Sequence, residues 1–493
     1  MPSPPFSDVP ATFFKPVLYV FGLLLTILGV AMFVPGLVDY LHGDVDWTGF
    51  VIGGCVTALI GLQTAFTNRI DAVALSRRQA FLLTGLSWTG IAAGSAFPFV
   101  FSRLHLSYTD AFFEAISGLT TTGSTILTGL DMAPPGILLW RSLLQWLGGI
   151  GIIMMAIAML PFLRVGGMQL FRMESSDTHE KVVSNVATLG WAVLSIYIGL
   201  TLACGLLYAL GGMTVFEAVN HAMTTMSTGG YSTSDASLGH FSSLYINWVA
   251  VAFMTAASLP FALYVRALRG RPGLLFMDVQ VRSFIGGLVV VTAVMSLWLI
   301  LHNHTLSPWE AISHMALNVV SVVTTTGYAS LDYTLWGPLA VSAFFALTFV
   351  GGCTGSTAGG IKIFRFLVSW RLFRAHIHRL MSPHAVEVPR YGGQRLTDDV
   401  STSVLLFFFV YIGTVGALTL FLAALGLDWV TAISGAATAV SNVGPGLGPI
   451  IGPAGNFSAL SDAAKWGLSA GMLLGRLEFF SLLVLVMPRF WRP

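Results

Sequence analysis

The chain has 493 residues, of which 55% are hydrophobic and 9% charged, and its formal net charge is +2. Soluble domains carry about 25% charged residues, so this composition excludes a soluble catalytic domain and gives no sign of a nucleic-acid partner. It suits a chain that crosses a bilayer many times in apolar runs of roughly 20 residues, with membrane lipid as its surroundings.

Met1 to Pro10 is short and polar, and Lys15 precedes a first apolar run at about 16–38. That run is too long for a signal-peptide core and lacks a small-residue cleavage site, so it reads as a membrane helix kept in the mature protein. Further runs lie near 49–67, 79–102, 137–162, 185–210, 243–265, 283–302, 336–350 with 361–375, 400–424 and 464–488, giving ten crossings. With the N-terminus in the cytoplasm, eighteen of the twenty-four Lys and Arg residues fall in inside loops or termini, including Arg164, Arg172 and Lys181. Three fall outside: Arg103, Arg141 and Lys465. The positive-inside rule therefore favours cytoplasmic N- and C-termini. Lys362, Arg365 and Arg476 are left at membrane depth. Cys55, Cys204 and Cys353 lie far apart in apolar or Gly-rich stretches and suggest neither a disulfide framework nor a metal cage.

Four segments repeat one pattern. They begin Phe113-Glu114-Ala115-Ile116-Ser117, Phe216-Glu217-Ala218-Val219-Asn220, Trp309-Glu310-Ala311-Ile312-Ser313 and Val430-Thr431-Ala432-Ile433-Ser434. Each leads, 9 to 17 residues after its Glu or Thr, into a Gly turn: Thr121-Thr122-Gly123, Ser227-Thr228-Gly229, Thr325-Thr326-Gly327 and Asn442-Val443-Gly444. Each copy lies between two apolar spans, so the unit is span, short helix, Gly turn, span. Thr214-x-x-Glu217 and Ser307-Pro308-Trp309-Glu310 fit capping boxes, and Asp110 and Asp428 are candidate caps for the other two. Glu114, Glu217 and Glu310 read as closing helix starts and are poor ion ligands. The expected organisation is an N-terminal pair of helices at 1–75 and pore repeats at 76–180, 181–280, 281–395 and 396–493. The fold class is an all-α integral membrane protein with four pseudo-symmetric repeats around one pore.

A dehydrated alkali cation needs several oxygens in place of its water shell, and backbone carbonyls can supply them. Glycine lets an extended segment turn those carbonyls toward an axis without steric cost. Non-helical backbone at membrane depth is tolerated only when it is buried in protein or lines water. The four Gly turns therefore read as an ion filter, the fourth departing most from the others.

One span, from about Trp336 to Arg379, is too long and clearly broken by a ten-residue stretch that holds Gly351, Gly352, Gly355, Gly359 and Gly360. A phosphate loop ending at Lys362 fails on spacing. A candidate gate lining the water-filled path below the filter is the better reading, with a static kink as its alternative. Arg476 lies near the middle of the last span, where an unpaired charge costs about 2.5–3.5 kcal/mol. We expect it to pair with carbonyls of the Gly-rich stretch and repel cations while the gate is shut. The alternative is a structural ion pair, though Glu478, two positions on, lies on another helix face. His302, His304, His314, His376, His378 and His384 read as exposed loop histidines.

These residues resemble the TrkH family, the membrane subunits of bacterial Trk-type potassium uptake systems, within the wider Trk/Ktr/HKT superfamily. The resemblance rests on Gly118 to Gly123, Gln145-Trp146-Leu147-Gly148-Gly149-Ile150-Gly151, Ser227 to Ser232, Thr325-Thr326-Gly327-Tyr328, Gly351 to Lys362 and Asn442 to Gly448. It implies filter glycines at Gly123, Gly229, Gly327 and Gly444, with potassium, the transported ion, contacted by the backbone of the two residues before each. It implies a gating loop at 351–360 with Lys362 and Arg476 beside it, and no organic cofactor. It also implies a homodimer in the bacterial inner membrane, regulated by a cytoplasmic nucleotide-binding ring of the TrkA kind that docks on basic loops such as 371–395. A transporter of another fold, a proton- or sodium-coupled symporter built from inverted repeats, is the competing function; it calls for broken helices in paired halves. An embedded enzyme would need a polar cluster at bilayer depth, and the sequence offers none.

Overall fold

The computed structural model describes residues 11–71, 75–159, 182–302, 305–382, 384 and 388–492. Arg164, Arg172, Lys181, His304 and the 180/181 repeat boundary lie outside them. The regular elements of the described chain are helices apart from a small hairpin, β1 (Arg390–Tyr391) against β2 (Gln394–Arg395).

The leading helices α1 (Lys15–Ala31), α2 (Phe33–His42) and α3 (Trp47–Thr67) pack through small residues. A methyl placed on Gly22 or Gly29 would overlap backbone of α3, and one on Gly54 or Gly61 would overlap backbone of α1. Membrane helices associate by such close backbone approach, because lipid gives them no hydrophobic drive to meet.

The four repeats follow. Repeat 1 has α4 (Arg77–Ser95), α5 (Phe97–Phe101), the short helix α6 (Tyr108–Leu119) and α7 (Pro135–Met159). Repeat 2 has α8 (Val182–Leu210), the short helix α9 (Val215–Met226), α10 (Leu244–Ala257) and α11 (Phe261–Leu268). The helix α12 (Gly273–Met277) leads from repeat 2 into repeat 3, which has α13 (Val279–His302), the short helix α14 (Pro308–Val323), α15 (Pro338–Leu347) and α16 (Ile363–Met381). Repeat 4 has α17 (Asp398–Ala424), the short helix α18 (Trp429–Ser441), α19 (Gly448–Ile451), α20 (Asp462–Arg476) and α21 (Phe480–Val486).

Among the described residues, seven helical spans are long and apolar enough to cross a bilayer, and two bent pairs raise the number to nine. The tenth expected crossing is α15 with α16, parted by residues 348–362. Only this span reads as broken in the sequence, and here the structure corrects that reading. The α10–α11 pair bends by 91° and the α20–α21 pair by 115°. Pro260, which cannot donate to a helix, stands at the first break. Glu478 and Phe479, both at positive φ, make the second.

All four short helices start from a capped turn. The side chains of Ser107, Thr214, Ser307 and Asp428 accept from the N–H three residues on. Glu217 and Glu310 complete capping boxes. Asp110 is not the cap of α6: Ser107 takes that place and also donates to the Asp110 carboxylate at 2.8 Å. Glu114, one turn further along, closes no helix start. It is buried and paired with Arg141 at 2.8 Å.

Candidate functional site

Each short helix ends in a residue pair whose conformation recurs. Thr121, Thr228, Thr325 and Asn442 all adopt positive φ, between 52° and 58°. For β-branched threonine this is a strained region, tolerated where surrounding structure enforces it. Asparagine suits it better, which accounts for the departure in repeat 4. The next residue closes the turn onto the helix five residues back: Thr122 N–H donates to Ser117 O, Gly229 to Thr224 O, Thr326 to Ser321 O and Val443 to Thr438 O, at 2.8–3.1 Å.

This pattern moves the register of repeat 2 by one residue. The equivalents of Thr121-Thr122-Gly123 are Thr228-Gly229-Gly230, so the turn glycine is Gly230 rather than Gly229, and Ser227 matches Thr120. Gly123, Gly230, Gly327 and Gly444 all have positive φ, between 79° and 105°. A shared Gly-Tyr step, Gly230-Tyr231 and Gly327-Tyr328, carried this signal in the sequence, while the flanking Ser/Thr-Thr-Gly pattern obscured it.

The four turns close on one another in order. A methyl built on Gly123 would overlap Gly229 O, one on Gly230 Thr326 O, and one on Gly327 Val443 O. One on Gly444 would meet Thr122 O at 2.9 Å. Repeat 1 thus abuts repeat 2, 2 abuts 3, 3 abuts 4, and 4 returns to 1. Glycine is required on two counts at each position, positive φ and the absence of room for a side chain.

Side chains brace this ring from behind. Tyr231 Oη donates to Glu114 O in repeat 1 at 2.9 Å, and Tyr328 Oη donates to His221 O in repeat 2 at 3.2 Å. Ser124 Oγ donates to Gly444 O of repeat 4 at 2.8 Å. Asn442 Nδ2 donates to Thr122 Oγ1 and Met472 O, both at 2.9 Å. The Arg141 guanidinium donates to Glu114 and to Ser232 O and stacks 4.0 Å from the Tyr231 ring. Removing one partner of so buried a pair costs about 3–5 kcal/mol, because the other charge is stranded. Arg141, counted above as an outside loop cation, is therefore a buried structural residue. Lys465, also so counted, is buried and bonds Asp110 at 2.6 Å.

Above the ring lies a cavity of about 260 Å³ lined by Gly123, Gly230, Gly327 and Gly444 together with Asp235 and Asn456. On the opposite side sits the Gly-rich stretch, an excursion of backbone rather than a kinked helix. Gly359 N–H donates to Thr325 Oγ1 at 2.6 Å, and Thr228 Oγ1 lies 3.3 Å from Thr357 Oγ1. The excursion is pinned to the α10–α11 break. Cys353 N–H donates to Ser258 O at 2.9 Å, and Phe261 N–H to Gly355 O at 3.0 Å. Gly351 N–H donates to Ile361 O, which closes the base of the excursion.

Arg476 ends α20 instead of lying mid-helix, and its Nη1 donates to Thr357 O at 2.9 Å. Its Nε and Nη2 are buried without a protein partner among the described residues. They border a cavity of about 70 Å³ lined by residues 354–356, 358–360, Lys362 and the α20–α21 bend. Lys362 Nζ donates back to Ala358 O. Glu478 lies in the bend, not on a helix face, and pairs with Arg365 at 2.8 Å. No group of three or more metal-ligating side chains exists among the described residues.

The sequence pattern of the TrkH family, described as a cation transport protein, matches residues 48–492. The chain is 48% identical to the Trk system potassium uptake protein TrkI of Halomonas elongata, over 97% of each. It is 38% identical to the Trk system potassium uptake protein TrkH of Vibrio parahaemolyticus, over 97% of this chain and 99% of that one. The crystal structure of the potassium transporter TrkH from Vibrio parahaemolyticus matches with a TM-score of 0.90 at 36% identity, covering 97% of this chain and 100% of that one.

Proposed function

This chain belongs to the TrkH family of cation transport proteins, and on that premise we propose that it takes up potassium along the axis of the glycine ring. The single observation that carries the proposal is the cyclic contact among the four turns, 1 to 2 to 3 to 4 and back to 1. Backbone carbonyls at Thr121 and Thr122, Thr228 and Gly229, Thr325 and Thr326, and Asn442 and Val443 replace the ion's hydration water. The short helices end at these turns, so their partially negative C-terminal ends add to the attraction for a cation.

The excursion 351–360 serves as the gate. Its contacts with Thr325 and Thr228 support this, since backbone held there obstructs an ion leaving the ring. Arg476 holds the shut position through Thr357 O and adds a repelling charge. The bend of the second span in repeats 2 and 4, beside the excursion in repeat 3, supports a gate assembled from several repeats. In this reading the N- and C-termini face the cytoplasm of a bacterial cell, two copies form a homodimer with one pore each, and a nucleotide-binding regulatory subunit docks on the basic cytoplasmic loops.

The test is flux through the purified full chain in liposomes under imposed potassium, sodium and proton gradients. Potassium flux that needs no opposing gradient supports conduction along the ring. Absence of potassium flux in liposomes and in an uptake-deficient host would overturn the proposal.

A further inference from the structure

Repeat 2 lacks a side chain where the other three have one. The position before the turn glycine is Thr122 in repeat 1, Thr326 in repeat 3 and Val443 in repeat 4, all buried. In repeats 1 and 3 its hydroxyl pairs with the threonine two residues earlier, Thr120 at 2.7 Å and Thr324 at 2.8 Å. In repeat 2 the residue is Gly229, whose φ is not left-handed, so nothing in the backbone demands glycine there.

What occupies the space is Gln145, fully buried on α7 of repeat 1. A methyl on Gly229 would run into the Gln145 carboxamide and nothing nearer. That carboxamide spans the turn: Nε2 donates to Gly229 O at 2.6 Å, and Oε1 accepts from Tyr231 N–H at 3.1 Å. No side chain donates to the equivalent oxygens Thr122 O, Thr326 O or Val443 O among the described residues. Among the described residues, the ring therefore has one carbonyl that accepts a side-chain hydrogen bond and three that accept none.

We infer that Gln145 is a positioning residue that sets the discrimination between potassium and sodium, by supplying from a neighbouring repeat the side chain that Gly229 lacks and by fixing the direction of its carbonyl. This rests on the filter reading above. A carbonyl clamped from behind by an N–H donor resists the inward movement needed to grip the smaller ion. Its charge is also partly drawn away from the axis. Losing the clamp lets one wall of the ring adapt to sodium.

The full chain is reconstituted in liposomes, and potassium and sodium fluxes are measured under equal gradients. Gln145→Ala lowers the potassium-to-sodium ratio by about five- to tenfold, the worth of one buried hydrogen bond. Gln145→Glu keeps the shape, turns the donor into an acceptor and lowers the ratio at least as far. Adding Gly229→Thr to Gln145→Ala refills the space and offers a hydroxyl to Ser227, as Thr122 does to Thr120. It restores the packing without the donor, so total flux recovers while the potassium-to-sodium ratio stays lowered. If Gln145→Ala fails to insert, the isosteric and refilled variants carry the test. A purely structural role would reduce both fluxes together and leave the ratio alone. Gly327→Ser is the control for the filter itself. An unchanged ratio in the Gln145 variants, with a changed one in Gly327→Ser, overturns the inference and leaves the filter standing. An unchanged ratio in all of them overturns both.

Discussion

The two sides of the glycine ring are built on different plans. On the side of the short helices, the four repeats share one plan: a capped helix, one residue at positive φ, one that bonds back five positions, one glycine. Beyond the ring, toward the excursion, the same four repeats diverge. The described part of α7 runs as one helix, α10–α11 bends by 91°, α15 and α16 are parted by residues 348–362, and α20–α21 bends by 115°. Ring symmetry is what equal ligation of a spherical ion requires. The gate proposed above needs the opposite, one element that can move against others that hold still. The excursion is the candidate for it, since its contacts include the breaks in repeats 2 and 4, at Ser258, Ala257 and Arg476, and two ring threonines.

The strongest way to break this comparison is at a ring glycine. Gly123→Ala forces a side chain into positive φ and into Gly229 O, an overlap worth about 3 kcal/mol, so potassium flux falls by about 100-fold. Near-normal flux in liposomes, with the protein inserted, would show that ions do not use the ring. Opposite in sign is Arg476→Gln, on the asymmetric side. Losing the charge-assisted bond to Thr357 O biases the excursion away from its shut position, and flux rises by about tenfold. A fall in flux would instead make Arg476 a support of the open path. The smallest effect is at an outer cap. Hydrogen bonds from the Ser307 side chain and N–H hold the Glu310 carboxyl below its ordinary value of 4.5. A depressed folded value stabilises above the unfolded pKa and is lost as pH falls through the folded one. Glu310→Gln should therefore lower the thermal midpoint slightly at neutral pH, with the difference vanishing in acid; a pH-independent difference would locate the loss in packing.

Much of the ring was legible because its determinants are local. Capping boxes at Thr214 and Ser307 and a glycine at each turn are short-range statements that a linear sequence can make. Three features were not. The register of repeat 2 slipped because Ser227-Thr228-Gly229 imitates the other turns and outweighs the Gly230-Tyr231 step, and the back-bond from Gly229 and the positive φ of Gly230 settle it. Glu114 read as another helix closer because its segment aligns with Glu217 and Glu310, yet α6 begins at a different phase, which buries Glu114 against Arg141. The bends at Pro260 and at Glu478 sit inside apolar runs of normal length, which hydropathy cannot distinguish from straight helices.

Sequence by itself determined the membrane class, the fourfold repetition, the caps at Thr214, Ser307 and Asp428 and the obligatory glycine in repeats 1, 3 and 4, since each follows from hydropathy, period or a single residue's allowed angles. Only the tertiary structure decided which carbonyl faces which glycine, that Gln145 fills a gap in another repeat, and that Arg476 reaches Thr357 from a helix end. Those outcomes depend on the distance between residues tens to hundreds of positions apart, and packing alone sets that distance.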